Sequence, residues 1–272
     1  MATFCRAPFQ ANVDYDEFLM PYRATLAEWR TILVKRFFTG RLLDAISSAK
    51  WAVYPLLVRL LPGVAILLHE PESTRRYWRA IEPGMLVVDG GANMGGYSLL
   101  ASRRAGPAGR VFSFEPDPRN FERLAARVRR CANVRPVPKA IADKSGQSLL
   151  FLDTFHAGHS LVDGRVGERG ILVEVTSLDD FVRELGLPGL DVVKLDIEGA
   201  ELLALDGMQQ LLRGARRPVI LCEVHPPITP EELIAKVEAH GYRASVLDAE
   251  LTGAVHAVPV HVLAVPPERR AE

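Results

Sequence analysis

The sequence has little cysteine, no excess of either charge, and no unbroken apolar run of the kind that crosses a membrane. Its three cysteines are far apart and form no Cys-x-x-Cys pair, so neither a zinc site nor a disulfide framework is predicted. Lysine plus arginine and aspartate plus glutamate number 33 each, which leaves no global positive field to attract nucleic acid. We therefore expect no nucleic-acid partner.

Signals for export or membrane insertion are weak. The N-terminus lacks the basic start and apolar core of a signal peptide. Residues 51–68 are apolar, but Arg59 lies at their centre and Pro55 and Pro62 interrupt them. A central arginine costs about 2.5–3.5 kcal/mol on insertion scales. We expect buried or lid helices here, with peripheral membrane contact as the alternative to a span, and a cytoplasmic protein.

The chain divides into two regions that differ in the spacing of their apolar residues. Residues 1–78 show helical spacing of apolar side chains and are predicted to form an N-terminal helical extension, either a lid or the surface of a homodimer. Residues 79–272 show short apolar runs at 85–89, 111–115, 134–137, 190–196 and 219–224, separated by helical patterns. Such alternation predicts an α/β domain with a mostly parallel sheet covered by helices on both faces.

Further elements complete this predicted domain. Residues 148–153 and 171–176 form an additional strand pair, residues 199–213 one helix, and residues 245–248 and 261–265 an antiparallel sheet edge. The expected fold is a Rossmann-like, seven-stranded sheet flanked by helices. Its ligand belongs at the carboxyl ends of the parallel strands.

A glycine-rich turn follows the first strand of this domain. Residues 87–96 read VVDGGANMGG, and Glu115 ends the next strand, where an acidic residue accepts hydrogen bonds from ribose hydroxyls. Dinucleotide enzymes place a pyrophosphate at such a turn. Asp89 would repel a pyrophosphate but could hold the ammonium group of a methionine moiety. The charges therefore favour S-adenosylmethionine over NAD or FAD, with a nucleotide-dependent oxidoreductase as the alternative.

Several motifs in order resemble the FkbM family of methyltransferases. They are VVDGGANMGGYS at 87–98, FSFEPDPRNFERL at 112–124, KLDIEGAE within 177–212, and CEVHP at 222–226. The resemblance implies a class I methyltransferase fold and S-adenosylmethionine as methyl donor. It also implies O-methylation of a hydroxyl on a sugar, glycolipid or polyketide-type metabolite, in free or lipid-linked form. N-methylation of a small metabolite stays open.

The resemblance also implies which residues hold the cofactor. They are Asp89, Gly91, Asn93, Gly95, Tyr97, Ser98, Glu115, Pro116, Asn120, Ala140, Ile141 and Asp196. The first four are carried over to the methionine end and Glu115 to the ribose. Pro116, Asn120 and the segment 139–141 are candidates for the adenine pocket.

The candidate catalytic residues follow the next two strands. Methyl transfer to an alcohol requires a group that takes or shares the hydroxyl proton. Asp196 and Glu198 end one strand, and His225 ends the next with an unperturbed pKa near neutrality, which suits a general base. No metal is predicted as the first choice, although Asp196, Glu198 and Glu201 could hold Mg²⁺ through carboxylate oxygens. The alternative for Glu201 is a structural role at a helix start.

Overall fold

The structure is a computed structural model that describes residues 71–152, 161, 169–247 and 260–269. The expected helices before residue 71, including residues 51–68, lie outside the described residues. The predicted domain boundary at residue 78 falls inside the first described helix, so this boundary stays a prediction. Among the described helices, none is both long and apolar enough to cross a membrane.

The described residues contain one large and one small sheet. The strands are β1 Leu86–Gly90, β2 Arg110–Phe114, β3 Val134–Val137, β4 Ala140–Ile141, β5 Gly146–Leu152, β6 Arg169–Thr176, β7 Val192–Leu195, β8 Val219–Val224, β9 Arg243–Leu247 and β10 Val260–Val265. The helices are α1 Pro71–Ala80, α2 Gly96–Ala105, α3 Pro118–Val128, α4 Leu178–Glu184, α5 Glu201–Asp206, α6 Gln209–Arg213 and α7 Pro230–Glu238.

Within the described residues, the large sheet has seven strands in the order β3-β2-β1-β7-β8-β10-β9. The first five of these run parallel, and β10 pairs antiparallel with both β8 and β9. The fold prediction is therefore confirmed, including the antiparallel edge. Strand order reverses direction at β1, which places a crevice at the carboxyl ends of β1 and β7.

Side chains from successive strand positions enter two cores, one on each face of the sheet. Val87 packs with Tyr77 of α1 and Ala101 of α2. Val88 packs on the opposite face with the group that includes Phe181 and Leu205. Strands that are buried on both faces explain why the sequence shows continuous apolar runs rather than alternation.

Helix α1 packs against the main domain rather than standing apart from it. The ring of Tyr77 meets the ring of Tyr97 edge-on at 5.1 Å, and both side chains are buried. The hydroxyl of Thr74 lies 3.4 Å from that of Tyr97. The end of the predicted extension is thus joined to the first turn of α2.

The small sheet has the order β4-β6-β5, with β5 and β6 antiparallel as predicted and β4 parallel to β6. Its core consists of Leu150, Val173 and Val175 with Ala140 and Ala142. This sheet adjoins the end of β3 through the short connection at residues 138–139. It therefore brings Ala140 and Ile141 to the crevice beside β1.

The prediction of one helix over residues 199–213 is wrong. The structure has two helices, α5 and α6, separated at Gly207 and Met208. A Cβ atom on Gly207 would lie 2.2 Å from the carbonyl oxygen of Ala142, so the chain passes close to the small sheet here. Helix α6 then begins as a separate helix. The Asp179 carboxylate caps its start by accepting hydrogen bonds from the backbone N–H groups of Gln210 and Leu211.

Candidate active site

A cleft of about 600 Å³, counting the space at its open mouth, lies at the carboxyl ends of β1, β2 and β7. Predicted site residues that line it are Gly91, Asn93, Glu115, Pro116, Asn120, Ala140, Ile141, Asp196 and Glu198. The lining also includes Lys139, from the predicted segment 139–141, and the residues Leu150, Leu161 and Ile197, which were not assigned from the sequence. No motif marks Leu150 or Leu161, because the small sheet alone carries Leu150 to the cleft.

The turn after β1 depends on Gly91. This residue has φ +72°, and a Cβ atom there would lie 1.8 Å from the carbonyl oxygen of Asp196. The Asp196 N–H in turn donates to the carbonyl of Gly90 at 3.1 Å. Only glycine permits this contact, since an L-residue would suffer both the backbone strain and the clash. The contact joins the glycine turn to the end of β7.

The Glu115 carboxylate is held at the cleft by two backbone N–H groups. Asn93 donates to Oε2 at 2.8 Å and Asp117 donates to Oε1 at 3.1 Å. Burial raises the pKa of Glu115 to about 7, an effect that these hydrogen bonds oppose and that the carboxylates of Asp117 and Asp89 reinforce. Each carboxylate oxygen keeps a second lone pair, so the group can still accept two hydrogen bonds from a diol.

Asp89 and Ser98 lie behind the cleft wall, not on it. Both side chains are completely buried. The Ser98 hydroxyl donates to Asp89 Oδ2 at 2.6 Å, and the Ser113 hydroxyl lies 2.7 Å from the same Ser98 oxygen. Asp89 Oδ1 is 3.9 Å from Lys194 Nζ and has no hydrogen-bond partner among the described residues. Direct contact between Asp89 and a cofactor ammonium therefore stays a prediction.

Gly95 and Tyr97 are also absent from the cleft lining among the described residues. Gly95 has φ +78° at the start of α2, where a Cβ atom would lie 2.8 Å from Leu124 Cδ1. The Tyr97 ring faces Lys194, whose Nζ is 4.6 Å from the ring centroid. The structure thus gives these residues packing contacts, and their predicted cofactor contacts are untested.

Lys194 connects two carboxylates at the strand ends, the buried Asp89 and the partly exposed Asp196. Its Nζ donates to Asp196 Oδ2 at 2.8 Å and lies 3.9 Å from Asp89 Oδ1. Burial disfavours the ammonium, but the two carboxylates outweigh burial and raise the pKa of Lys194. Burial also raises the pKa of Asp196, although Lys194 opposes this. Lys194 therefore stays charged and fixes one oxygen of Asp196, which leaves Oδ1 for other contacts.

His225 stands among four carboxylates. Its Nδ1 is 3.0 Å from Glu201 Oε1, and its Nε2 is 3.3 Å from Glu223 Oε1, 3.6 Å from Glu198 Oε2 and 3.7 Å from Asp196 Oδ1. Burial lowers the pKa of His225, but Glu201 and Glu223 outweigh it and bring the value to about 11. An imidazole that is protonated at neutral pH has no lone pair for a proton, and this argues against the predicted general-base role.

The turn after β7 holds Glu198 in a left-handed backbone conformation, which is uncommon for a residue other than glycine. Glu198 has φ +53° and Asn93 has φ +46°, and among the described residues these are the non-glycine residues with positive φ. Both line the cleft. Such backbone strain is concentrated at functional sites. The buried Glu201 carboxylate supports the turn by accepting from Gly199 N at 3.1 Å.

Glu201 and Glu223 are acidic residues of the site that were not among the predicted catalytic residues. Glu223 lies two positions before His225 at the end of β8, so strand alternation already points both toward one side. Glu201 begins α5, and its completely buried state could not be read from the sequence. Its contact with His225 links the turn after β7 to the end of β8.

The cleft fits S-adenosylmethionine on its own chemistry. Glu115 offers acceptor lone pairs to a ribose diol, and Pro116, Ala140 and Ile141 offer apolar surface near it. The opposite part of the lining carries the Asp196 and Glu198 carboxylates, which suit a group with ammonium and sulfonium charges. A pyrophosphate in this cleft would face those carboxylates.

Comparison with known proteins agrees with this arrangement. Residues 89–244 match the Methyltransferase FkbM domain. The hexuronic acid methyltransferase AglP of Haloferax volcanii is 28% identical over 174 residues, covering 62% of this chain and 64% of that protein. The 31-O-demethyl-FK506 methyltransferase FkbM of Streptomyces tacrolimicus is 28% identical over 202 residues, covering 61% of this chain and 76% of that protein. The match thus spans just under two thirds of the first of these relatives.

A solved structure shows the same fold. Methyltransferase FkbM from Methylobacillus flagellatus aligns with a TM-score of 0.50 at 15% identity, covering 93% of this chain and 72% of that chain. The domain match takes in the glycine turn, Glu115, the β7 end and the β8 end. It leaves the oxidoreductase alternative without support and makes S-adenosylmethionine the cofactor of this domain. The chain belongs to the FkbM family of methyltransferases.

Proposed function

We propose that this protein transfers a methyl group from S-adenosylmethionine to a hydroxyl oxygen of a small polyhydroxylated metabolite, of the sugar, glycolipid or polyketide type. The observation that carries the proposal is the pair of carboxylates, Asp196 and Glu198, on the lining of the cofactor cleft. The relatives support it by their names, which specify a hexuronic acid in one case and a 31-O-demethyl compound in the other.

The residues at one end of the cleft bind the cofactor, and those at the end of β7 contact the acceptor hydroxyl. Glu115 binds the ribose, and the apolar residues beside it hold the adenine, which orients the methyl group toward the end of β7. When bound, S-adenosylmethionine would supply the methyl group for the acceptor oxygen and would leave as S-adenosylhomocysteine. Glu198 would accept the hydrogen bond of the acceptor hydroxyl and then its single proton, while Asp196, which Lys194 holds, would help to orient that hydroxyl.

We assign the proton acceptor to these carboxylates and not to His225. Both carboxylates line the cleft, whereas His225 is absent from the lining among the described residues. Both ring nitrogens of His225 face carboxylate oxygens within 3.7 Å. His225 thus orients the carboxylates, while Lys194 fixes Asp196 from the other side. A lipid-linked acceptor, peripheral membrane contact and a homodimer remain predictions.

The test is a transfer assay with radiolabelled S-adenosylmethionine and a panel of neutral sugars, uronic acids, polyols and amines. We expect label in an ether that survives mild alkali, as an O-methyl product does. Glu198→Gln should lose turnover at least tenfold and lose clearly less affinity for S-adenosylhomocysteine than turnover. Glu231→Gln, an exposed change on α7, serves as the matched control. Label found only in amines, or full turnover in Glu198→Gln, contradicts the proposal.

A further inference from the structure

Three possible metal ligands lie close together where β7 and β8 end, two on the cleft lining and one beside it. Asp196, Glu198 and His225 each offer one atom, and these atoms lie within 4.8 Å of one another. His225 Nε2 is 3.7 Å from Asp196 Oδ1 and 3.6 Å from Glu198 Oε2. Ligands at about 2.1 Å from a tetrahedral ion are roughly 3.4 Å apart, so small side-chain adjustments suffice to close this set on an ion.

Two of the three ligands, Asp196 and His225, are already anchored through their other polar atoms. Lys194 Nζ holds Asp196 Oδ2 at 2.8 Å, which turns Oδ1 toward the histidine. Glu201 Oε1 is 3.0 Å from His225 Nδ1 and so fixes the ring with Nε2 toward the other ligands. A carboxylate on the far nitrogen is the usual support of a metal-binding histidine. The ligand set is therefore preorganised.

Glu201 supplies a second observation at this group of side chains. Its side chain is completely buried, and its Oε2 has no hydrogen-bond partner among the described residues. A buried carboxylate oxygen without a donor is costly, because burial of a charge requires a compensating partner. A divalent ion on Nε2 of the neighbouring imidazole would place more positive charge near this carboxylate than the proton that it replaces.

The local charge balance also favours a cation. Four carboxylates surround the two nitrogens of His225 within 3.7 Å, and Glu223 Oε1 at 3.3 Å from Nε2 is available as a fourth ligand. Within the described part of the chain, the basic side chains that lie within 4 Å of these carboxylates are Lys194, His225 itself and His261, whose Nε2 is 3.5 Å from Glu223 Oε2. A divalent ion would replace the proton on Nε2 and reduce the repulsion between the carboxylates.

We propose that Asp196, Glu198 and His225 bind one divalent metal ion at the acceptor end of the cofactor cleft. A mixed imidazole and carboxylate set suits Mn²⁺ or Zn²⁺ better than an all-oxygen ion. Open coordination positions would take water or the acceptor hydroxyl, whose proton the ion makes easier to remove. This role in acceptor binding depends on the proposed function, whereas metal binding itself does not.

The test is a titration of the full chain with Mn²⁺. Binding is measured as the decrease of the electron paramagnetic resonance signal of the free ion. We expect one Mn²⁺ per chain, at least tenfold weaker binding in His225→Ala and in Glu198→Gln, and unchanged binding in Glu231→Gln. Zn²⁺ should displace the bound Mn²⁺. Binding of S-adenosylhomocysteine, measured on the same samples, confirms that each variant is folded.

Two outcomes overturn the metal proposal. One is no saturable Mn²⁺ or Zn²⁺ binding by a chain that still binds S-adenosylhomocysteine, and the other is binding that the folded Glu198→Gln and His225→Ala variants retain in full. The proposed function fails differently, by the absence of S-adenosylhomocysteine binding or methyl transfer whether or not the metal binds. The two failures are therefore distinguishable.

Discussion

Replacing Glu115 with glutamine should weaken S-adenosylhomocysteine binding about 10- to 100-fold. Each carboxylate oxygen of Glu115 already accepts one backbone N–H, from Asn93 or Asp117, and keeps one lone pair for a ribose hydroxyl. Glutamine keeps one acceptor oxygen and puts an NH₂ group where the other stood. One hydrogen bond to a charged group is worth about 1.5–3 kcal/mol, and about 1.4 kcal/mol corresponds to tenfold in affinity.

The pH dependence of binding gives a sharper form of this prediction. The pKa of Glu115 in the folded protein is raised to about 7, mainly by burial. Ribose hydroxyls donate to the ionised carboxylate, so binding favours the charged form and releases a proton below pH 7. Affinity should therefore rise between about pH 6 and pH 8 in the parent protein. Glu115→Gln should lose the part of this rise that Glu115 supplies and keep the part due to Glu198, whose pKa burial also raises to about 7.

The same carboxyl group also makes folding stability depend on pH. Folding favours its protonated form, whereas ribose binding favours its ionised form. Its pKa is raised from 4.5 to about 7 on folding. The folded chain thus binds the proton more tightly, and this residue favours folding more as pH falls from 7 toward 4.5. A shift of this size corresponds to about 3 kcal/mol across that window. Urea denaturation of the parent and of Glu115→Gln at several pH values isolates the contribution.

The assay is isothermal titration calorimetry with S-adenosylhomocysteine in two buffers of different ionisation enthalpy, which counts the released protons. Glu122→Gln is the matched control, because it makes the same chemical change at an exposed position on the adjoining helix. Equal affinity in the parent and Glu115→Gln would refute the ribose assignment. An affinity that falls as pH rises would refute the electrostatic reasoning.

Three further predictions concern the framework of the site, each measured by urea denaturation. Gly91→Ala should cost about 3 kcal/mol or more, because its Cβ atom would clash with the Asp196 carbonyl at positive φ, whereas Gly186→Ala, with φ +59° and open space around it, should cost about 1–2 kcal/mol. Asp191→Ala should cost about 2–3 kcal/mol, since its buried carboxylate accepts from two arginine side chains and a backbone N–H. Thr229→Ala should cost about 1 kcal/mol by removing the capping box of α7. A cost for Gly186→Ala as large as that for Gly91→Ala, or no cost in the other two variants, would contradict these explanations.

The order of elements in the main sheet could be predicted from the sequence because its signals are local. The strand limits at 134–137 and 219–224 coincide with β3 and β8, since each apolar run is bounded by polar or proline-containing segments. Ser177 caps α4 by accepting a hydrogen bond from the Asp180 N–H, a contact between residues close in sequence. The break between α5 and α6 could not be predicted, because it depends on the approach of Gly207 to Ala142 across the fold.

The site could be predicted in part for the same reason. Strand order brings the ends of β7 and β8 side by side, so Asp196 and His225 meet as their sequence positions suggest. Other features of the site depend on which side chains are buried, and local motifs do not show this. Asp89 belongs to the glycine motif, yet the structure places it in a closed network with Ser98. The protonation of His225 depends on the buried carboxylate of Glu201, which no local pattern identifies.

A crystal structure of the full chain with S-adenosylhomocysteine would locate the cofactor directly. We expect one bound molecule in the cleft, with both ribose hydroxyls on the Glu115 carboxylate, the adenine between Pro116 and Ile141, and the sulfur directed toward Asp196 and Glu198. Ligand bound elsewhere, or a cleft that stays empty in crystals soaked at saturating concentration, would contradict it.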